Sequence, residues 1–425
     1  MFYTHCPADM GRFPLQFTAP TVDRATCSAR MTHSVTLSGH GDLSRIKIEQ
    51  SATEMTLRDD HVEVVTHYCG LSFTDNYLRL GVIRNEKFPV VMGSECSGYV
   101  TRVGEDVKDL KAGQKVLCLK MQGGLFRRTV HVPRKHCFRL PEDLPLTDAV
   151  ALGLNFVVAH LCLFEIGHLK PRDRVFMQSI AGGVGTALVQ LCRTVRDVEV
   201  FGTASEMKHD DLMTLGVKCV YCPEENYVER MLQFYPKGVD IVINSNGGKD
   251  TDKCCKLLKP CGTLINIGSN STACYPRSTA WGFAKPSWDT KRIRTVELVS
   301  RNHRIAGLNV GTWLENQPKK VQTILAKVFE LHQRGLIRPC VHSVIPFDQV
   351  TDGIKELCER RNYGKIVLDQ EHFSTRTAKR QRQGSKPQRG TWQRGKLSDE
   401  DDDTEAEEMV LDPEDEDFSE DMPLL

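Results

Sequence analysis

The sequence lacks several features that mark membrane, secreted or metal-stabilised proteins. No uninterrupted apolar run approaches the roughly 18 to 20 residues that a membrane-spanning helix needs. The 16 cysteines are scattered, only Cys219 and Cys222 form a C-x-x-C pair, and no second pair stands at zinc-finger spacing. Because no secretory signal peptide is visible either, we expect reduced cysteines in a cytoplasmic protein that is soluble or, at most, peripheral on a membrane.

A strong net charge is also lacking, but the charges are unevenly distributed. The whole chain has a net charge of +1, whereas residues 371–425 hold 8 Lys/Arg and 16 Asp/Glu, basic first and acidic later. Neither block has enough apolar residues to form a core, so we predict a disordered tail over 371–425. Residues 1–30 lack periodicity and are predicted to be a disordered leader. The mildly basic remainder suits an anionic cofactor, and we expect no nucleic acid partner.

The most informative stretch that is present covers residues 174–191, RVFMQSIAGGVGTALVQL. A short apolar strand is followed by a glycine-rich turn and a helix-forming run, and a second strand, Glu199–Thr203, follows at the distance of a βαβ unit. This arrangement places backbone N–H groups and a helix N-terminus against a phosphate. It therefore predicts a dinucleotide site, with tight helix–strand packing by the glycines as the alternative.

The remaining chain shows two kinds of pattern. Up to about residue 146, short strand-like segments are separated by glycine and acidic turns, which predicts a compact β-rich domain. Thr147 is a candidate helix cap, and strands alternate with helices after it, which predicts a parallel sheet covered on both faces. Past residue 304 we expect a strand over 305–310, two helices, and a last strand over 365–368.

The order of these parts resembles the medium-chain dehydrogenase/reductases, in their quinone-oxidoreductase or zeta-crystallin-like branch. Within that branch it resembles the synaptic vesicle membrane protein (vesicle amine transport protein) homologue group, especially its homologue-like members. The motifs that carry the resemblance are CGLSFTDNYLRLG at 69–81, GSECSGYVTRVG at 93–104, AGGVGTALVQLCRTV at 181–195, VFGTASEMKH at 200–209, PKGVDIVIN at 236–244, LLKPCGTLINIGS at 257–269 and GLIRPCVHSV at 335–344.

The resemblance implies an α/β fold in which a Rossmann domain, with a doubly wound parallel sheet, is inserted into a GroES-like β-rich domain. The implied boundaries are 31–153 for the first part of the GroES-like catalytic domain, 154–304 for the Rossmann dinucleotide-binding domain and 305–370 for the return to the catalytic domain. In the family the run at 305–310 pairs edge to edge with a second copy, so a homodimer is expected.

Zinc is expected to be absent. The zinc alcohol dehydrogenases of the family carry Cys-His-Thr-Asp and Gly-His-Glu where this sequence reads SFTD at 72–75 and GSE at 93–95. Serine hydroxyls are poor zinc ligands beside thiolate or imidazole. The family's lobe of four closely spaced cysteines is also missing between Cys96 and Cys118. We therefore predict neither a catalytic nor a structural zinc ion.

The end of the second strand favours NADPH as the cofactor. NAD-specific folds place a carboxylate there, whereas this chain has Thr203-Ala204-Ser205 and then Lys208. The family resemblance implies that Ser205 hydrogen-bonds a 2′-phosphate and that Lys208 neutralises it; the alternative is that Lys208 is an ordinary surface lysine. The predicted cofactor-binding residues are Asn155, Ala181, Gly182, Gly183, Val184, Gly185, Thr203, Ser205, Lys208, Asn244, Gly268 and Asn309.

The candidate catalytic residues are Ser72, Asp75 and Tyr77. Hydride transfer is the cofactor's chemistry, so the protein must position the substrate and stabilise the developing oxyanion. Tyr77 matches a tyrosine of some bacterial quinone reductases, which implies that it donates a hydrogen bond to that oxyanion. The alternative is that Tyr77 packs its helix together with Leu78 and Leu80.

Several positions depart from the family pattern near the reacting ring. Ser72 replaces an asparagine, Val158 a threonine, and Ile180 the first small residue of the phosphate turn; Pro223 falls where a tyrosine is often found. The sequence therefore predicts a zinc-independent, NADPH-dependent reductase of quinones or enones that is weak or shifted in substrate. The alternative is a nucleotide-binding protein without turnover that acts at vesicle or organelle surfaces, including the mitochondrial outer membrane.

Overall fold

The computed structural model describes residues 31–52, 56–83, 85, 87–272 and 295–372. The predicted leader and all but the first two residues of the predicted tail lie outside the described residues. The α-helices are α1 (Phe73–Leu80), α2 (Leu146–His160), α3 (Gly183–Cys192), α4 (His209–Leu215), α5 (Tyr227–Phe234), α6 (Asp250–Leu257), α7 (Thr295–Arg301), α8 (Val310–Asn316), α9 (Pro318–Gln333) and α10 (Val350–Cys358).

The strands fall into a β-rich part and a parallel-sheet part, as predicted. Those of the β-rich part are β1 (Met31–Leu37), β2 (Ile46–Ala52), β3 (His61–Gly70), β4 (Val90–Val91), β5 (Glu95–Val103), β6 (Lys115–Leu119), β7 (Thr129–Pro133) and β8 (Cys137–Arg139). The others are β9 (Arg174–Met177), β10 (Glu199–Thr203), β11 (Cys219–Tyr221), β12 (Val239–Asn244), β13 (Leu258–Asn266), β14 (Arg304–Gly307), β15 (Val341–Pro346) and β16 (Lys365–Asp369).

The parallel sheet has the strand order β11-β10-β9-β12-β13-β14, and every neighbouring pair in it is parallel. Its apolar strands are covered by helices, because both faces must be buried in such a sheet. The predicted strand over 305–310 is wrong at its end. The strand stops at Gly307, and Asn309 caps α8 by accepting from the N–H groups of Gly311 and Thr312.

After this sheet the chain returns to the β-rich part, which confirms the inserted architecture. Strand β16 pairs with β3 in antiparallel orientation, and β15 pairs with β16 in parallel orientation. The larger sheet therefore has the order β15-β16-β3-β5-β6-β8, with β7 also pairing β3, while β2, β1 and β4 form a separate three-stranded sheet. The exact domain boundaries stay a prediction.

Helix α2 is the longest apolar element and corrects one expectation. It begins at Leu146 with Pro145 as its N-cap, so Thr147 lies in the first turn and is not the cap. Together with the π-helical turn Leu161–Ile166 it forms a 21-residue segment that is long and apolar enough to cross a membrane. The sequence has no uninterrupted apolar run of this length, because Asn155 and His160 interrupt it, so a search for uninterrupted runs missed this segment. Within the fold, 67% of its most apolar window is buried.

Four buried cysteines form a row across the larger sheet. Cys69 of β3 pairs in register with Cys96 of β5, Cys96 with Cys118 of β6, and Cys118 with Cys137 of β8. All four are fully buried, and the Sγ atoms of Cys118 and Cys137 are 3.8 Å apart. Every described cysteine is a free thiol. Burial raises the pKa of Cys69 to about 12, so this thiol stays protonated at neutral pH.

Candidate active site

A cleft of about 1370 Å³ lies at the carboxyl ends of the parallel strands and faces α1 and the loop before β16. Ligands of open parallel sheets bind at this edge. Of the twelve predicted cofactor residues, all but Asn244 line the cleft, and of the three predicted catalytic residues Ser72 and Tyr77 do so. One end of the cleft is formed by the glycine turn after β9, and the other by the segment around Tyr77; we call them the phosphate end and the substrate end.

At the phosphate end the glycine turn leads directly into α3. Gly182 is the N-cap residue, and the N–H groups of the first helical turn have no partner within the helix. A Cβ atom at Gly183 would lie 2.4 Å from Nδ2 of Asn155, and one at Gly185 would lie 2.1 Å from the carbonyl oxygen of Ile180. The glycines therefore allow tight packing and also leave the turn open to a ligand, and the dinucleotide site stays a prediction.

Ile180 does not obstruct this turn. Its side chain is fully buried, and its backbone N–H donates to the carbonyl of Thr203. A Cβ atom at Gly202 would lie 2.7 Å from Cβ of Ile180, so the missing side chain on β10 provides the space that Ile180 fills. Ile180 is not among the described residues that line the cleft. This departure from the family pattern is accommodated in the core.

Lys208 is buried and holds a loop in place. Only 8% of its surface is exposed, and its Nζ atom donates to the carbonyl oxygens of Arg360 at 2.6 Å and Asn362 at 2.9 Å. Burial lowers the pKa of this amine. The interpretation of Lys208 as an ordinary surface lysine is therefore wrong. Two of its three N–H donors are used by the loop, which leaves one for a ligand.

Sequence reasoning missed the loop that Lys208 holds, residues 359–364 between α10 and β16. Arg360 and Arg361 both line the cleft; Nη2 of Arg360 lies 3.4 Å from Oδ1 of Asn246, and Arg361 forms a 2.8 Å ion pair with Glu359. The N–H group of Gly364 donates to the carbonyl of Ala181 in the glycine turn. The available signal was the two adjacent arginines just before the last strand. Because they are about 175 positions after the glycine motif, the sequence did not indicate that they lie beside it.

Asn244 lies behind the cleft. Its side chain is fully buried; Nδ2 donates to Thr251 and Asn266, and Oδ1 accepts from the N–H groups of Asn246 and Gly247. All its hydrogen bonds go to the loop after β12 and to adjoining elements. Asn244 therefore shapes the cleft through its neighbours, whereas Ser245 lines the cleft directly.

At the substrate end the Tyr77 side chain reaches across the cleft. Its hydroxyl donates to Oδ1 of Asn270 and accepts from the N–H group of Ser269 at 2.9 Å. A Cβ atom at Gly268 would lie 2.7 Å from the Tyr77 hydroxyl oxygen, so this contact requires glycine there. Arg79, two residues later on α1, is fully buried and donates to the Gly41 carbonyl and to Asn76.

Ser72 and Asp75 form the start of α1. The carboxylate of Asp75 accepts from the Ser72 N–H at 2.9 Å and from its hydroxyl at 3.0 Å, which is a capping box. Burial is the largest cause that raises the pKa of Asp75, to about 6. Asp75 is not among the described residues that line the cleft, so it acts on the site through Ser72.

A buried ion pair supports the cleft from below. Nζ of Lys365 lies 2.5 Å from Oε2 of Glu95, and the side chains are 3% and 0% exposed. The other carboxylate oxygen accepts from the N–H group of Leu154, where α2 has a non-helical residue at Gly153. Burial raises the pKa of Glu95, and the adjacent ammonium group opposes this. Because Leu154 and Lys365 line the cleft, the pair fixes two of its walls.

The positions of the absent zinc motif carry ordinary structural contacts. Ser94 accepts from the N–H group of Gln122 at 3.0 Å, and Glu95 is held by Lys365. Across the part of the chain that the structure describes, no three His, Cys, Asp or Glu side chains are grouped so as to hold a metal ion. The absence of zinc itself stays a prediction.

Comparison with known protein families agrees with this architecture. Residues 58–142 match the model of the alcohol dehydrogenase GroES-like domain, and residues 216–368 match a model described as zinc-binding dehydrogenase. The chain belongs to the medium-chain dehydrogenase/reductase family of oxidoreductases, with a GroES-like domain and a Rossmann domain.

Within this family the chain is similar to the synaptic vesicle membrane protein VAT-1 homologues. It is 36% identical to the Danio rerio homolog over 355 residues, which are 83% of this chain and 72% of the relative. The crystal structure of the human VAT-1 homolog-like protein superposes with a TM-score of 0.70 at 30% identity and covers 82% of this chain and all of that one. The Escherichia coli quinone oxidoreductase complexed with NADPH, at 19% identity, has the same fold, with a TM-score of 0.69 over 79% of this chain and 99% of that one.

Proposed function

We propose that this protein is a zinc-independent, NADPH-dependent oxidoreductase that transfers hydride to a quinone or an enone. The observation that carries the proposal is the continuity of the cleft, which joins a helix N-terminus and a glycine turn at one end to an apolar region beside Tyr77 at the other. An extended dinucleotide needs both ends at once. The structural relative from E. coli, which is a quinone oxidoreductase complexed with NADPH, supports the same class of reaction.

The phosphate end fits NADPH. The N-terminus of α3 would hold the pyrophosphate, because its free N–H groups and dipole favour an anion. No carboxylate occupies 203–205, Ser205 lines the cleft, and Arg360 and Arg361 stand at the same end. Guanidinium groups suit phosphate recognition. In this proposal Lys208 contributes mainly by fixing the loop that carries the arginines.

The substrate end fits a planar apolar acceptor. Side chains from both domains form its walls: Leu71, Phe73, Ile83, Met121, Val158 and Leu308. NADPH would supply the hydride, and the walls would exclude water and orient the acceptor against the nicotinamide. Asp75 and Arg79 do not line the cleft, because Asp75 bonds to Ser72 and Arg79 bonds to Asn76 and the Gly41 carbonyl; polar side chains that do line this end, such as Ser72, Tyr77 and Asn270, are uncharged. This favours substrates bound by shape and apolar contact.

A second candidate function is nucleotide binding without turnover at a vesicle or organelle surface. The names of the VAT-1 relatives, which are synaptic vesicle membrane proteins, favour it, as does the position of Asp75 and Arg79 outside the described cleft lining. Both functions are compatible with a cytoplasmic protein and with a homodimer. The edge position of β14 in the parallel sheet supports pairing with a second copy.

The test is to titrate the purified chain with NADPH and NADH by nucleotide fluorescence and then to follow NADPH oxidation with a panel of quinones and enones. We expect binding of NADPH in preference to NADH, and oxidation that Gly183→Asp abolishes. Gly39→Asp is the matched control, because a Cβ atom at Gly39 meets no atom within 4 Å. Equal affinity for the two nucleotides would contradict the cofactor assignment, and tight NADPH binding without oxidation would favour the second function.

A further inference from the structure

The Tyr77 hydroxyl joins two parts of the fold that are far apart in sequence. Tyr77 lies on α1 in the first part of the β-rich domain, and Asn270 lies in the loop after β13 of the Rossmann domain, 193 positions later. The hydroxyl donates to Asn270 and accepts from the Ser269 N–H group. All three residues line the substrate end of the cleft, so the contact spans it.

The loop that receives Tyr77 is anchored to the Rossmann sheet. The N–H group of Asn270 donates to the carbonyl of Ser245 at 2.9 Å, and Ser271 donates to the carbonyl of Asn246 through its N–H group and its hydroxyl. Asn246 is itself within hydrogen-bond distance of Ser179 and Arg360 at the phosphate end. The contact therefore ties α1 to a rigid part of the nucleotide-binding edge.

The same contact uses the proton that a catalytic tyrosine would have to give. A tyrosine hydroxyl has one hydrogen to donate, and here it is directed to Oδ1 of Asn270. The Ser269 N–H group then occupies an acceptor position on the oxygen. Donation to a substrate oxyanion would first require the bond to Asn270 to break.

We propose that Tyr77 and Asn270 form a latch that holds the substrate end of the cleft closed, and that Tyr77 is a positioning residue whose release accompanies nucleotide exchange. The latch itself is a property of the ligand-free fold; only its effect on nucleotide exchange rests on the proposed function. Gly268 belongs to the device, because any side chain there would displace the Tyr77 hydroxyl.

The first experiment measures hydrogen–deuterium exchange of segment 267–272 in the ligand-free full-length protein. Tyr77→Phe removes both described hydrogen bonds of the hydroxyl, the one to Asn270 and the one from Ser269, and Asn270→Ala removes the one to Asn270. At about 1 kcal/mol net for each bond, exchange should accelerate roughly 30-fold and fivefold, respectively. The double variant should exchange more slowly than the product of the two single effects predicts, because both variants break the same bond. Tyr99→Phe, which removes a hydroxyl on β5 outside the cleft lining, is the control. Parent-like exchange in Tyr77→Phe, or additive effects in the double variant, would overturn the latch.

The second experiment separates a latch from a proton donor by stopped-flow release of NADPH and by steady-state turnover. A latch predicts that Tyr77→Phe and Asn270→Ala both release NADPH faster than the parent, because each variant breaks the same contact. A proton donor predicts a fall in kcat of about 10²- to 10⁴-fold in Tyr77→Phe, with Asn270→Ala near the parent; that result would overturn the proposal. If the parent binds no NADPH, the proposed function fails, and the exchange experiment still decides the latch.

Discussion

The two ends of the cleft are encoded in different ways. The phosphate end is built mainly by one continuous stretch, strand β9, the glycine turn and α3, to which β10 adds a second strand. The substrate end is assembled from α1, the loop after β13 and the segment before α8, which meet only when the two domains are folded. The phosphate end therefore has a local sequence motif, whereas the substrate end depends on packing between distant segments.

The largest effect is expected from the Lys365–Glu95 ion pair, which lies beneath both ends and should therefore affect both of them. Lys365→Met leaves the Glu95 carboxyl buried without its partner, which should cost about 3–5 kcal/mol of unfolding free energy and weaken binding at both ends. Chemical denaturation and NADPH titration measure the two effects. Lys135→Met, which breaks an ion pair with Glu315 that is about half exposed, should cost below about 1 kcal/mol. Equal losses in both variants would contradict a structural role for the buried pair.

Asp75, at the start of α1 beside the substrate end, should make the stability of the fold depend on pH. The pKa of Asp75 is about 6 in the folded protein and near 3.8 when unfolded, so folding favours the protonated acid. Its stabilisation is complete below about pH 4 and is lost as the pH rises through about 6, a change of about 3 kcal/mol. Asp75→Asn should remove this component from the unfolding free energy between pH 4 and pH 7. Identical pH profiles of parent and variant would show that the carboxyl ionises without penalty.

A smaller effect, on nucleotide affinity alone, is expected at the phosphate end. Arg360→Ala removes a guanidinium group from this end, and we expect NADPH to bind about 10- to 100-fold more weakly, with NADH affinity unchanged. Arg338→Ala is the control, since Arg338 does not belong to the described cleft lining. Isothermal titration with both nucleotides gives the comparison. A parallel loss for NADPH and NADH would instead indicate a structural defect of the loop.

The smallest effect is expected from Ile180→Val, which should lower stability slightly without changing either end of the cleft. Ile180→Val removes one buried methyl group beside Gly202 and should cost about 0.5–1.5 kcal/mol of stability. Because the Ile180 side chain faces the core, NADPH affinity should stay within about twofold of the parent. Thermal unfolding and titration test this. A large loss of affinity would mean that Ile180 shapes the phosphate turn after all.

The same contrast explains what the sequence could predict. Nine of the eleven predicted cofactor residues that line the cleft lie within the quoted motifs, and the exceptions are Asn155 and Asn309. The inserted architecture followed from the order of the strand and helix patterns. Arg360 could not be placed because its loop reaches the glycine turn only through the pairing of β16 with β3. Asp75 and Asn244 face away from the cleft because each is held by hydrogen bonds to nearby residues, which composition does not reveal.

The cysteine row on the larger sheet offers a way to time the opening of one domain. Cys69, Cys96, Cys118 and Cys137 are shielded from solvent, so an added thiol reagent can reach them only when the strands β3, β5, β6 and β8 separate. Cys261, in the parallel-sheet part, is exposed and would react at once. The rate of labelling at these four cysteines, measured by mass spectrometry, would thus report how often the sheet opens, and Cys261 would serve as the reference within the same chain.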